Sequence, residues 1–415
     1  MKYVPRTVDG ELDELLRLAP AIAIDGPKGV GKTATAHRRA TASWLLDDPA
    51  QRALVEADPT FAGAPAGTLL IDEWQRLPAV WDSVRRRVDD GAPTGRFLLT
   101  GSATPAAGLD THTGAGRILS IRMRPMALHE RGMQPTVSLA SLVAGENAPI
   151  SGSTAATARD YFAAIESSGF PGIASQPDRL RRGLLDAYLQ HVIDRDLPER
   201  GTAVRRPETL RRWLAAYAAA SSTSAAYSRI LDATTAGDGS QPAKTTTIHY
   251  RDQLTALWLL DPVPGWSPSR SPLTRLQQAP KHQLADPALA ARLLGLSARA
   301  LATGVGAHMA GPLFESLATL TVRVGAQAAE SRVGHLRTRN GDHEIDLIVQ
   351  GPDGQVLGIE VKLAATVNDA DVRHLHWLRQ QLPQDVVDVV IVTTGTTAYR
   401  RPDGVAVVPL ALLGA

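Results

Sequence analysis

The chain is predicted to be α/β: a parallel sheet built around a phosphate-binding loop, then a helical region, then a second, C-terminal α/β unit. Three stretches carry this prediction. Ala21-Ile-Ala-Ile24, an apolar run of strand type, leads directly into Gly26-Pro-Lys-Gly-Val-Gly31-Lys32-Thr33, which fits G-x-x-x-x-G-K-[ST]. A second apolar run, Thr68-Leu-Leu-Ile71, ends in Asp72-Glu73. From Pro312 onward the pattern reads helix, three strands, helix, strand.

In the first stretch, glycines at 26, 29 and 31 free the backbone to turn successive N–H groups toward phosphate oxygens at the start of a helix. Gly26, Pro27, Lys28, Gly29, Val30, Gly31, Lys32, Thr33 and Ala34 are the expected phosphate-binding set. Lys32 is expected at the β- and γ-phosphates and the Thr33 hydroxyl on Mg²⁺. The eight-residue pattern is far more restrictive than a lone G-x-G-x-x-G, which weighs against a glycine turn that binds nothing. Residues 34–46 are expected to be the helix that follows the loop. A short amphipathic helix in residues 1–20, carrying Leu12, Leu15, Leu16 and Leu18, is expected ahead of the first strand.

Asp72 and Glu73 have the Walker B pattern. The first carboxylate would position Mg²⁺ through its waters, and Glu73 would polarise the water that attacks the γ-phosphate. A third strand, Arg96-Phe-Leu-Leu99, runs into Thr100-Gly101-Ser102, which places hydroxyls at a strand's carboxyl end. Thr100 and Ser102 read as γ-phosphate sensors, with a capped turn as the equal alternative. Residues 116–125 alternate apolar and basic side chains like a strand; Arg117 and Arg124 are open to a role at the γ-phosphate or to a solvated strand face.

At 415 residues the chain should hold two to four domains. It has no cysteine, which excludes disulfides, thiolate zinc sites and thiol catalysis, and leaves Mg²⁺ as the expected metal. The net charge of +2 says little about nucleic acid. The N-terminus lacks the apolar core of a signal peptide and no apolar run spans a membrane, so no membrane partner and a cytoplasmic location are expected.

Taken together, Gly26 to Thr33, Leu69 to Pro78, Phe97 to Ser102, and Arg124-Pro125 with Glu130 resemble the AAA-superfamily ATP-binding proteins of prokaryotes that carry a C-terminal domain of unknown function. Ser168-Gly-Phe-Pro171 and the helix ending in Arg195-Asp196 resemble further parts of that family. The resemblance implies ATP as ligand, Asp72 for metal and Glu73 for water activation. The superfamily's habit of completing active sites between subunits makes a homo-oligomer an expectation, with Arg117, Arg124 and Arg195 as candidate fingers.

The division expected is 1–150 ATPase, 151–205 helical lid or connector, 206–310 winged helix-turn-helix-like, and 311–415 C-terminal. Residues 139–158, rich in Ser, Ala, Gly and Pro, read as a linker. Helices around Leu210–Tyr217, Tyr227–Leu231 and Lys244–Leu260 suggest the winged unit, which the resembling family also has. The insertion Ala233–Ala243 departs from it and leaves protein packing as the alternative to DNA contact. Pro262–Pro280 reads as a proline-rich connector.

In the C-terminal unit, Asn340-Gly341 signals a hairpin into Glu344-Ile-Asp346-Leu-Ile-Val349, and Gly351–Gly354 turns the chain into Val356-Leu-Gly-Ile-Glu360-Val-Lys362. Residues two apart on a strand share a face, so Glu360 and Lys362 project together and Asp346 can meet them. Such a cluster would hold Mg²⁺ by Asp346 and Glu360, with Lys362 positioning the attacking water. With Glu315 on the preceding helix, it resembles the PD-(D/E)XK nuclease family, which makes Glu315, Asp346, Glu360 and Lys362 candidate catalytic residues. Three readings stand: an Mg²⁺-dependent ATPase coupled to a DNA-binding and DNA-cleaving tail, an ATP-dependent switch with a catalytically silent tail, or an assembly or signalling protein whose tail is structural.

Overall fold

The computed structural model describes residues 3–102, 114–146, 148–202, 204–234, 243–268, 279–338 and 341–415. Strands β1 (Ala21–Asp25), β2 (Ala42–Leu45), β3 (Leu69–Asp72), β4 (Phe97–Gly101) and β5 (Leu119–Arg122) form a wholly parallel sheet in the order β2-β3-β4-β1-β5. The three central strands are unbroken apolar runs because both of their faces are covered. Alternation sorts them. Ala21, Ala23, Leu69, Ile71, Phe97 and Leu99 pack with Phe61 and Trp74 on one side; Ile22, Ile24, Leu70 and Leu98 pack with Leu12 and Val30 on the other. In register, Thr100 lies opposite both Ile24 and Asp72, so the strand carrying the hydroxyls sits between the loop strand and the acid strand.

The loop is followed by a helix of only six residues, Lys32–His37, and the chain then enters edge strand β2, which replaces the helix expected over residues 34–46. Trp44 explains the change, since as a strand residue it packs on Phe61 with ring centroids 5.7 Å apart. The helix Pro49–Ala57, started by the Asp48 carboxylate accepting from the Ala50 N–H, completes that edge.

The linker expected over residues 139–158 is built in its first part. Ser138 caps the helix Leu139–Ala144, which buries Leu139, Leu142 and Val143. It is preceded by β6 (Val137–Ser138). Next come helices Ala158–Ser167 and Asp178–His191; the latter passes into a single π turn, Val192–Asp196. Three further helices, Pro207–Ala219, Tyr227–Ala233 and Lys244–Ala256, fall where three were expected. Residues 235–242 of the expected insertion and Asn340 of the expected hairpin lie outside the described residues. The connector is also partly built: Val263 and Lys281 exchange both backbone hydrogen bonds at 2.9 Å, and Trp266 is buried.

The C-terminal sheet contains β7 (Arg332–Arg337), β8 (Glu344–Gln350), β9 (Val356–Lys362), β10 (Val386–Thr393), β11 (Tyr399–Arg400) and β12 (Ala406–Pro409), in the order β11-β12-β10-β9-β8-β7. β7, β8 and β9 are antiparallel; β9, β10 and β12 are parallel, with the helix Asp369–Gln381 crossing between β9 and β10. One face packs on that helix through Val372, Leu375 and Leu378. The other packs on the 22-residue helix Ala307–Ala328 in the same continuous core that covers one face of the first sheet. The last strand, β13 (Leu413–Gly414), pairs with β6, so the end of the chain is stitched to the end of the first unit.

Candidate functional site

The loop is fixed by close approach. Gly26 has φ 151°, and a Cβ there would lie 2.1 Å from the Met123 carbonyl oxygen, whose own N–H donates to Asp25 at 2.7 Å. Gly31, at φ 102°, turns the chain into the helix that begins with Lys32. Arg6, missed in the sequence reading, braces the loop from below: its guanidinium donates to the carbonyls of Val30 (2.9 Å) and Arg124 (2.7 Å) and pairs with Glu130 at 3.2 Å.

Lys32 is buried and donates to the carbonyls of Gly26 (2.7 Å) and Pro27 (2.9 Å), so its ammonium lies across the mouth of the loop. Burial pushes it down to about 8, against the opposing charges of Glu73, Asp72 and Asp25. The Thr33 hydroxyl donates to the buried Asp72 carboxylate at 3.0 Å, and Thr100 donates to the same carboxylate from β4. These hydroxyl and carboxylate oxygens, with no protein cation bonded to Asp72 among the described residues, are the hard donor set that suits Mg²⁺. Glu73, half-buried, sits at φ 53°, a left-handed conformation that costs a side-chain-bearing residue on the order of 1–3 kcal/mol. Gln75, also missed, donates through one amide to both Glu73 and the buried Ser102, which tethers the carboxylate beside the strand ends.

A cover of helical residues lies over the loop. Phe170 of the Ser-Gly-Phe-Pro turn is the side chain nearest Gly29, and Pro171 packs with Met123 at Gly31. Asp286 holds that turn by accepting from Ser168 Oγ (2.7 Å) and the Gly169 N–H (2.6 Å). Lys28, in the loop itself, pairs at 2.5 Å with Asp196 in the π turn. Of the candidate arginines, Arg124 is turned inward to Asp261 (2.9 Å) and Gln327 (3.2 Å), so it is not part of a solvated strand face. Arg117 pairs with Asp89 on the surface, and Arg195 is exposed.

In the tail, the register brings Asp346, Glu360 and Lys362 to one sheet end, and Glu315 joins Asp346 there from the helix Ala307–Ala328. Asp346 follows the β8–β9 ladder outward from the Leu347–Ile359 pair and accepts the Val361 N–H at 2.9 Å; Lys362 lies 3.6 Å from Glu360. The structure adds a fifth residue. Lys281 Nζ, its side chain 1% exposed, reaches Asp346 (2.7 Å), Glu315 (2.9 Å) and Glu344 (3.5 Å). Burial and the Asp346 charge push Glu315 up to about 8 and raise Glu360 well above the carboxylate range. Burial would raise Asp346 as well, but Lys281 brings it below its usual value. Among the described residues no group of three or more His, Asp or Glu is arranged to hold a metal ion. Nothing local in the sequence marked Lys281, whose partners lie 34 and 65 residues away.

Comparison with known proteins agrees with the first unit. Residues 19–131 match the family described as AAA domain, residues 158–300 a domain of unknown function (DUF8612), and residues 310–413 another (DUF4143). An uncharacterized protein of Mycobacterium tuberculosis and one of Mycobacterium bovis are each 26% identical over 372 residues, which is 87% of this chain and 74% of theirs. A Walker-type ATPase of Pyrococcus abyssi superposes with a TM-score of 0.40 at 15% identity, over 69% of this chain and 94% of that one. No described helix is long and apolar enough to cross a membrane. The AAA match and the loop geometry together support an ATP-binding P-loop ATPase domain over residues 19–131.

Proposed function

We propose that this chain is an Mg²⁺-dependent ATPase that works as a switch, its nucleotide state read by the helical and C-terminal units. The observation that carries the reading is the convergence of Lys32, Thr33, Asp72, Glu73 and Thr100 at the carboxyl end of three adjacent parallel strands. Lys32 leaves its two loop carbonyls for the β- and γ-phosphates, and the loop N–H groups cradle the phosphates at the helix start. Thr33 and Asp72 would hold Mg²⁺, which would supply positive charge against the phosphates. Glu73 takes the proton of the attacking water, and Thr100 and Ser102 report the γ-phosphate.

Physical continuity supports the switch. Asp261 bonds Arg122 (3.0 Å) and Arg124 (2.9 Å) of the ATPase unit and Arg323 (2.7 Å) of the long helix. Two residues further along, the same short ladder pairs Val263 with Lys281, which enters the tail cluster. The working units remain 1–150, 151–205, 206–310 and 311–415. ATP titration by calorimetry tests the reading: wild type binds with Mg²⁺ and Lys32→Ala does not. Equal affinities would refute it.

A second reading, DNA binding and cleavage by the tail, is favoured by the meeting of Glu315, Asp346, Glu360 and Lys362 at one sheet end. The exposed start of the helix at Lys244 would offer the phosphate contact. Mg²⁺-dependent nicking of plasmid DNA, lost in Lys362→Ala, would establish it; no nicking leaves the silent tail.

A further inference from the structure

We propose that Lys281 is the resident cation of the C-terminal acid cluster, and that its ammonium stands where a divalent metal would otherwise sit. The inference is independent of the ATPase reading and bears on the tail alone.

An ammonium has three N–H donors and no acceptor, and here it faces three carboxylates, those of Asp346, Glu315 and Glu344, at 2.7, 2.9 and 3.5 Å. A lysine is rarely buried unless paired, because removing its charge from water is costly. At 1% exposure Lys281 is among the most buried large side chains of the protein, so its acid partners are what holds it charged there. Its place is fixed by the backbone as well, since the Lys281 N–H and C=O both bond Val263. The side chain is therefore delivered into the tail from a paired backbone and held there by its acids.

The donor set does not fit a metal in this arrangement. One Asp346 oxygen accepts from Lys281 and the other from the Val361 N–H. Glu315 is engaged by Lys281, and Glu360 faces Asp346 and Lys362. An Mg²⁺ or Mn²⁺ ion between Asp346 and Glu315 would have to lie at roughly 2.1 Å from their oxygens, against an ammonium that already bridges them. Two cations cannot share that space. Of the expected ligands Asp346 and Glu360, which are brought together, Asp346 already has both oxygens engaged, by Lys281 and the Val361 N–H, and the tail is a socket for a lysine.

Bound Mn²⁺, counted by electron paramagnetic resonance on the full chain without nucleotide, tests this. Wild type and Asp346→Asn should bind the same number of ions. Lys281→Met, checked for folding by circular dichroism, should gain one Mn²⁺ per chain, and Lys281→Met with Asp346→Asn should lose it again. A wild type that loses one ion on Asp346→Asn overturns the proposal, and this comparison stands even if the lysine variant does not fold. A folded Lys281→Met that binds no additional ion also overturns it.

Discussion

Asp261 lies 3.0 Å from Arg122, an ion pair that joins the helical unit to the strand flanking the loop strand. Burial would raise the Asp261 carboxyl, yet Arg122, Arg124 and Arg323 hold it far below the carboxylate range. Three guanidiniums thus depend on one acid. Asp261→Ala should lower the stability of the chain by about 3–5 kcal/mol, the usual cost of leaving buried charge uncompensated. Urea denaturation followed by circular dichroism measures this. A loss under about 0.5 kcal/mol, the range of ordinary surface substitutions, would mean the arginines find other partners.

His335 supplies a pH dependence of known sign. It is buried, its Nε2 bonds the Ala279 carbonyl at 3.0 Å, and burial with the nearby Lys281 charge holds its imidazole down to about 4. The unfolded chain's histidine titrates near about 6.5. Between those values the unfolded state binds the extra proton, so stability falls as pH drops from about 6.5 toward 4, and His335 accounts for at most roughly 3 kcal/mol of that fall. Melting midpoints across this window should decline less steeply in His335→Gln. Parallel curves would show that His335 does not titrate as its surroundings dictate.

Asp196 places a carboxylate 2.5 Å from Lys28, at the edge of a loop expected to receive a polyphosphate. Asp196→Asn removes that charge and releases Lys28 toward the phosphates. ATP should bind about two- to fivefold tighter, the scale of one partly screened charge interaction. Fluorescent-nucleotide titration at two salt concentrations checks it; weaker binding would mean that the pair shapes the loop for ATP.

Much of this arrangement was legible in the residues because the informative signals are local. Gly26 to Thr33 and Asp72-Glu73 carry strand, turn and chemistry within a few positions, and the period of two put Asp346, Glu360 and Lys362 at one sheet end. What was not legible is set by distant partners. Trp44 became a strand residue because Phe61 waits for it. Leu139, Leu142 and Val143 were hidden in a Ser- and Gly-rich stretch that reads as a linker, yet they have a core to enter. Arg124 looked available until Asp261, 137 residues on, claimed it, and the residues around Lys281 gave no sign of acids 34 and 65 positions away.

The most direct measurement is single-turnover ATP hydrolysis by wild type and Glu73→Gln, with bound nucleotide quantified in parallel. Glu73 stands at the strand end beside Asp72 in a strained conformation, tethered by Gln75. The account predicts that Glu73→Gln retains ATP and Mg²⁺ but hydrolyses at least about 10²-fold more slowly, the usual contribution of a positioned base. Equal rates in the two proteins would contradict it.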